Sequence, residues 1–410
     1  MSDVKKLSKE YWKYWWASAM AMSASNILQY VLSLYVLDVT GSATLFASML
    51  SIIFFPRMLL TPIAGVLADR GRKLKMMSGV LLGETAVLLI GGVLVYSVAF
   101  TTVGVFLLVV LLEIGEVFYN ASEAAVIPEL VSTDAVSEAV AASKVDDGIV
   151  AVLSPMAAAL LYTKLQLSFA LVLVGGLNLV ACVLQKSIRE KEMLYDISER
   201  TKNSFFKDFA EGIRAIREDD FLKNFIVILP VINLFFGATF SVSIQYLLRN
   251  IFRLNNYAYG TYNSVTAFVS VLIPVLMAHF VAKWKAKCIF SVTTKLIAVE
   301  IGMIGLVTTL GVMGKIPVYA AVIAITILDC MTIAEAIPMQ MAVGIILQTG
   351  VEAKVLGRVS STLGMAASVA VALGEFLFGI ISDVFPVYIS IFLGAAGIGV
   401  ASVLYSVLFM

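Results

Sequence analysis

The chain has 410 residues, 60% hydrophobic and 14% charged, against about 45–50% apolar and about 25% charged in a soluble domain. That excess exceeds what a buried core needs and makes lipid the expected solvent, while a net charge of +1 gives no basic surplus for nucleic acid. Cys182, Cys288 and Cys330 lie in apolar runs without ligand spacing, His279 is the single histidine, and neither a Walker A loop nor a GxSxG elbow occurs. Disulfide frameworks, zinc sites, ATP hydrolysis and nucleophile-based enzyme chemistry are thereby excluded as expectations.

A helix needs about 20 apolar residues to cross a bilayer. In chain order, twelve segments qualify: 14–37, 44–68, 75–97, 101–122, 138–162, 166–187, 222–247, 257–282, 288–312, 317–345, 358–383 and 386–409, numbered here spans 1 to 12. The first is longer than the apolar core of a signal peptide and carries Trp and Tyr at headgroup level, so it reads as a retained span. Lys and Arg set the orientation. With the N-terminus in the cytoplasm, inner segments hold 22 of them and outer loops 4, with Arg57, Lys144 and Lys295 inside spans. Both termini are therefore expected on the inner side of a multi-pass plasma-membrane protein.

One long polar stretch, 189–221, separates two six-span bundles, 1–188 and 222–410. Within it Phe205, Phe209, Ile213 and Ile216 recur at helical spacing, which predicts an amphipathic helix on the inner membrane surface. Six spans, a linker and six spans is the plan of one class of secondary transporter.

GVLADRGRKLKMM, from Gly65 on, lies between spans 2 and 3. It resembles the signature loop of the major facilitator superfamily: Gly65, Leu67, Ala68, Asp69 and Arg70 match, the second glycine falls one position early at Gly71, and Arg72 and Lys73 supply the basic residues. The resemblance implies an all-α fold of twelve helices in two pseudo-symmetric halves, with this loop as a gate and Gly65 as a point of close helix approach. AAVIPELVSTDAVSEAVAAS (124–143) resembles the span 4–5 connection of the macrolide-efflux and enterobactin-exporter group. GIVAVLSPMAAALLY (148–162) is similar to the antiporter motif of span 5, with Ser154-Pro155 for Gly-Pro. LQTGVEAKVLGRVSSTLG (347–364) resembles the span 10–11 connection. The chain departs from the drug-antiporter pattern in lacking an acid in span 1 and an arginine in span 4.

An acid at mid-bilayer costs about 2.5–3.5 kcal/mol on the insertion scale. The spans nevertheless contain Glu84, Glu113, Glu116, Asp146, Asp147, Glu300, Asp329, Glu335 and Glu375. The resemblance implies that spans 1, 4, 7 and 10 line a central cavity. That selects Glu113 and Glu116 on span 4, and Asp329 and Glu335 on span 10, as proton-coupling and substrate-binding residues. Glu113 and Glu116 stand three residues apart and share a helix face, expected to look into a water-filled cleft. A proton and a cationic substrate would compete for the same carboxylates. Asn26, Gln29, Tyr30, Asn233, Phe236 and Gln245 are the expected cavity lining. Arg57 is expected to pair with a carboxylate or with Asp38. Lys144 and Asp147, one turn apart, are expected to neutralise each other, and Glu84 and Glu300 to pack against polar neighbours.

The functional expectation is export of amphipathic, cationic small molecules, such as drugs or toxins, by proton-coupled alternating access. The implied partners are a small-molecule substrate, protons and the lipid bilayer, with no cofactor beyond the proton gradient as energy source, no metal and no nucleic acid; a monomer is the default. Two alternatives stand: a specific exporter of a metabolite such as a siderophore or metallophore, and a non-transporting sensor or scaffold. Import uses the same architecture.

Overall fold

A computed structural model describes residues 7–70, 72–97, 101–132, 135–188, 213–214, 216–218, 220–351 and 353–409. All twelve expected spans are helices, and the described residues contain no strand. Backbone N–H and C=O groups find no water in hydrocarbon, so helices that satisfy them internally are the stable solution for apolar runs of this length. Many apolar side chains face outward, among them Val93, Leu107, Leu153, Val275 and Val407. In water this surface would be a liability; in lipid it is the solvated face.

The helices run beyond the apolar segments. Span 1 is Lys9–Thr40 and span 4 is Thr102–Leu130, eight residues past its expected end. The extra turns of span 4 are held by packing: Val126 and Leu130 are buried with Tyr11, Tyr14, Met77, Leu81 and Ala139. Span 2 is interrupted, Ala43–Ile52 and then Phe54–Arg70. Pro56 removes the hydrogen bond that the Ile52 carbonyl would accept and crowds the same turn. Spans 3 to 6 are Lys73–Ser97, Thr102–Leu130, Val136–Lys164 and Leu167–Lys186. Span 7 starts at Asp220 and passes through two π-helical stretches, Thr239–Ser243 and Leu247–Ile251. Spans 8 to 12 are Asn256–Lys283, Ala286–Val312, Val318–Gly350, Ala353–Val384 and Val387–Phe409.

The chain divides into two compact units. The first is Met1–Tyr35, Phe55–Thr201 and Asn256–Ser264; the second is Val36–Phe54, Lys202–Asn255 and Val265–Met410. Relative to the halves expected from the sequence, 36–54 and 256–264 are exchanged. Of the predicted amphipathic linker helix, Phe205 and Phe209 lie outside the described residues; Ile213 and Ile216 are helical, and Ile216 is buried.

In the first unit, span 1 is pinned to span 5 at one end. The Tyr11 hydroxyl donates to the Ala139 carbonyl at 2.6 Å, and Trp15 Nε1 donates to the Ala142 carbonyl at 3.1 Å. At the far end of span 5, the start of span 8 packs closely. A Cβ on Gly260 would stand 2.7 Å from Ala159 Cβ and 3.0 Å from the Pro155 carbonyl. In the second unit, the rings of Phe225, Phe290 and Tyr405 pack in series, tilted to one another, with centroids 5.9 and 4.4 Å apart.

Candidate functional site

In the first unit, Glu113, Glu116 and Glu123 of span 4 each have a hydrogen-bond partner. Arg57, one turn past the break in span 2, donates from Nε to Glu113 Oε1 and from Nη2 to Oε2 at 3.4 Å. Glu113 is 7% exposed and Arg57 49%, so a half-exposed guanidinium covers a buried carboxylate. Ser25 Oγ of span 1 donates to Glu116 Oε1 at 3.0 Å. Glu113 and Glu116 do lie together, as their spacing predicts, but Glu113 is covered rather than open to a cleft. The arginine absent from span 4 itself has a counterpart in Arg57, 56 positions earlier in the chain than Glu113.

Two further acids join this set. Glu84 of span 3 lies beside span 4: its Oε1 is 2.7 Å from where a Cβ on Gly115 would stand. Asn178 Nδ2 of span 6 donates to its Oε2 at 3.0 Å. Glu84 feels the charges of Glu116 and Glu113. Glu123, one residue beyond the expected end of span 4, accepts a hydrogen bond from Ser18 Oγ of span 1. It escaped the sequence reading because it lies outside the apolar window. Lys144 and Asp147 pair as expected, at 2.6 Å and exposed; Asp146 is buried.

The expected lining residues of span 1 are less engaged. Asn26 Nδ2 donates back to the Met22 carbonyl of its own helix at 2.9 Å, Gln29 is exposed and Tyr30 is half-buried. Near the gating loop, Gly65 meets no described atom within 4 Å of a built Cβ, so the close approach expected at Gly65 is not present here. One of the close approaches in the structure is at Gly260, against the stretch that contains Ser154, which is buried, and Pro155. The sequence signal was there on span 5, but nothing marked its partner on span 8. Arg72 is exposed and Lys73 half-buried; the side chains of Asp69 and Arg70, and Gly71, lie outside the described residues.

In the second unit, Asp329 and Glu300 are buried. Thr332 Oγ1 donates to Glu300 Oε2 at 2.9 Å. Glu335 is half-buried, yet its Oε2 is enclosed and has no hydrogen-bond partner. Asn233 Nδ2 bonds the Leu229 carbonyl of its own helix at 2.9 Å, and Phe236 packs on Phe240 with centroids 4.8 Å apart. Gln245 Nε2 reaches the Phe240 carbonyl at 3.3 Å, in the π-helical region. Glu375 of span 11 is 5% exposed, with Ser241 bonded to its carboxylate and Oε2 without a partner. Its neighbour is the first π-helical stretch of span 7, a local geometry frequent at functional sites that no sequence pattern announces.

One end of the second unit carries its strongest polar contacts. Gly41, at φ 61°, turns the chain out of span 1, a backbone state that only glycine adopts without strain. Ser42 then caps span 2 by accepting from Leu45 N at 3.2 Å. Asp383 at the end of span 11 accepts from Ser42 Oγ at 2.6 Å, Ala43 N at 2.7 Å and Thr44 N at 2.9 Å. A carboxylate on the first amides of a helix satisfies orphan donors and complements the helix dipole. Beside it, Arg249 grips Asp38 with two bonds, Nε to Oδ1 at 2.6 Å and Nη2 to Oδ2 at 2.5 Å. Paired guanidinium–carboxylate bonds of this kind are the strong, geometrically specific class.

Among the described residues no group of three or more His, Cys, Asp or Glu side chains has a metal-holding arrangement.

Known proteins bear on this arrangement. Macrolide efflux protein A of Streptococcus pyogenes is 24% identical over 379 residues, which is 91% of this chain and 89% of that protein. The nucleoside transporter NupG, in a point-mutant form, superposes with a TM-score of 0.81 at 9% identity, covering 98% of this chain and 100% of that one. A bacterial homologue of the iron transporter ferroportin in its inward-facing state gives a TM-score of 0.76 at 15% identity, with 98% and 99% covered. At these identities the two structures establish the fold. The model of the Major Facilitator Superfamily matches residues 14–374. The chain is a multi-pass membrane transporter, not an enzyme, and it belongs to the Major Facilitator Superfamily.

Proposed function

We propose that this transporter exports amphipathic, cationic small molecules across the plasma membrane by proton-coupled alternating access, with both termini in the cytoplasm. The observation that carries the reading is the pair Glu113–Glu116 in the middle of span 4. Each carboxylate is held by a group that another cation or a proton can displace: Arg57 on Glu113, Ser25 on Glu116. A buried charge needs a partner, and removing one partner is costly unless another replaces it. A substrate ammonium can take the place of the half-exposed Arg57, and a proton can neutralise the acid when the substrate leaves. The relative from Streptococcus pyogenes, an efflux protein for macrolides by its name, supports the direction. A macrolide, with a basic amine on a large apolar ring, fits the substrate class. Asp329 and Glu335 on span 10 are proposed as the second set of coupling acids.

Proton flux in inside-out vesicles, read with a pH dye during addition of erythromycin and a panel of unrelated cationic drugs, tests the proposal. Wild type is expected to release protons with several drugs, and Glu113→Gln and Asp329→Asn to lose that response. No release with any drug, in folded protein, overturns multidrug antiport. Release that persists in both variants overturns the assignment of these carboxylates.

A further inference from the structure

The polar side chains that lead away from Glu116 along span 4 are not used by that mechanism. Tyr119 lies three residues after Glu116, and Glu123 four residues after Tyr119, so all three share one helix face. Tyr119 is 5% exposed and packed among Tyr11, Tyr14, Met77 and Leu81. Its hydroxyl is enclosed and completes no hydrogen bond of full geometry. The groups it senses electrostatically are Glu123 on its own helix, Tyr14 on span 1 and Glu116, and Ser18 of span 1 lies nearby. An enclosed hydroxyl left without a good partner carries a free-energy cost. On its face of span 4 Tyr119 lies between Glu116 and Glu123, whose carboxylates already have other donors, Ser25 and Ser18. A packing role would be filled by phenylalanine.

The geometry points to a proton relay in which the Tyr119 hydroxyl passes protons between Glu123 and Glu116. The inference rests on the proposed proton coupling at span 4 and supplies its feed line. The step balances. Protonated Glu123 gives its proton to the phenol oxygen while the phenol gives its own to the Glu116 carboxylate. Glu123 ends as carboxylate, Glu116 as acid, and Tyr119 is unchanged.

The surroundings suit a supply line. Glu123 faces Ser18 and Tyr14 on span 1, Glu116 on span 4 and Asp147 on span 5; Asp146 in turn senses Asp147 and Glu123. Glu116 faces Ser25 on span 1 and Arg57 on span 2, with Glu113 on its own helix and Glu84 on span 3. The acids near Glu123 thus lead toward the charged end of spans 4 and 5. Those near Glu116 include the carboxylate that Arg57 covers.

The test is a pH jump on the full-length protein in nanodiscs, without drug, followed by time-resolved infrared absorption of protonated carboxyls. The Glu116 signal is the one absent in Glu116→Gln. Its rise is expected to slow on the order of ten-fold in Tyr119→Phe and in Glu123→Gln, with part of the rate restored in Glu123→Asp. Tyr119→Phe keeps the ring and the packing, and its thermal midpoint checks folding. An unchanged rate in Tyr119→Phe overturns the relay, and so does a wild type in which Glu116 never takes a proton. The vesicle assay runs in parallel. Slowing in the pH jump with no drug response at all leaves the relay standing and removes the efflux reading. A drug response with no slowing does the reverse.

Discussion

The two units use their acids differently. In the first unit, Glu84, Glu113, Glu116 and Glu123 lie along spans 3 and 4, each with a named donor: Asn178, Arg57, Ser25 and Ser18. In the second, Asp38 and Asp383, each with two or more hydrogen bonds among the described residues, lie where spans 1, 7 and 11 end and span 2 begins. Deeper in the spans, Glu335 and Glu375 each keep an enclosed oxygen without a hydrogen-bond partner. On the proposed mechanism, donors deep in the spans make a place where charge is exchanged. Donors at helix ends make a clasp that closes on segment 36–54.

Substitutions can break this contrast. The largest effect is expected from Glu113→Gln, which should lower drug-dependent proton release about 100-fold, the size of a lost acid–base group, as read in inside-out vesicles. An equal loss in Asp383→Ala would show that the acids at the helix ends take part in coupling as well. Next comes Gly260→Val, where the added side chain meets the Pro155 carbonyl and Ala159. Overpacking there should cost about 1–3 kcal/mol of stability, measured by thermal unfolding in nanodiscs. Asp383→Ala removes the acceptor for three donors of the first turn of span 2 and should cost about 1 kcal/mol in the same measurement. Lys144→Ala gives the smallest change. Its pair with Asp147 is exposed, and such pairs contribute about 0–1 kcal/mol, so unfolding should barely move. A large shift there would mean that the exposed pair belongs with the buried acids.

Twelve spans were legible because hydropathy and the distribution of Lys and Arg report lipid directly. The ends were less so: Val126 and Leu130 extend span 4 through contacts with residues far earlier in the chain, such as Tyr11 and Tyr14. The candidate site was half legible. Glu113 and Glu116 stood out as carboxylates in an apolar run, and Arg57 as a cation in another, yet nothing local says that Arg57 meets Glu113. Ser18 and Ser25 look like any small residues of a membrane helix until span 4 is laid beside span 1. Glu123 was hidden by where the apolar window closes. Gly260 became meaningful only against Pro155.

The two π-helical stretches of span 7 have a further consequence. Each winds one residue more into its turn than an α-helix does. An α-helical residue turns the chain by about 100° and advances it about 1.5 Å. Whereas a residue lost within Thr239–Ser243 is the extra residue of that turn and leaves Ile244 onward in place, one lost from the α-helical part before Ala238 would swing everything after it by about that angle. Arg249 would then point away from Asp38, and Asn250 Nδ2 would leave the Leu37 carbonyl it now bonds at 3.0 Å. The length of span 7 is therefore under a constraint that its apolar composition does not express. Single-residue insertions and deletions should be tolerated in its first half, before Ala238, far less well than conservative substitutions anywhere along it, because the aim of two polar side chains depends on the count.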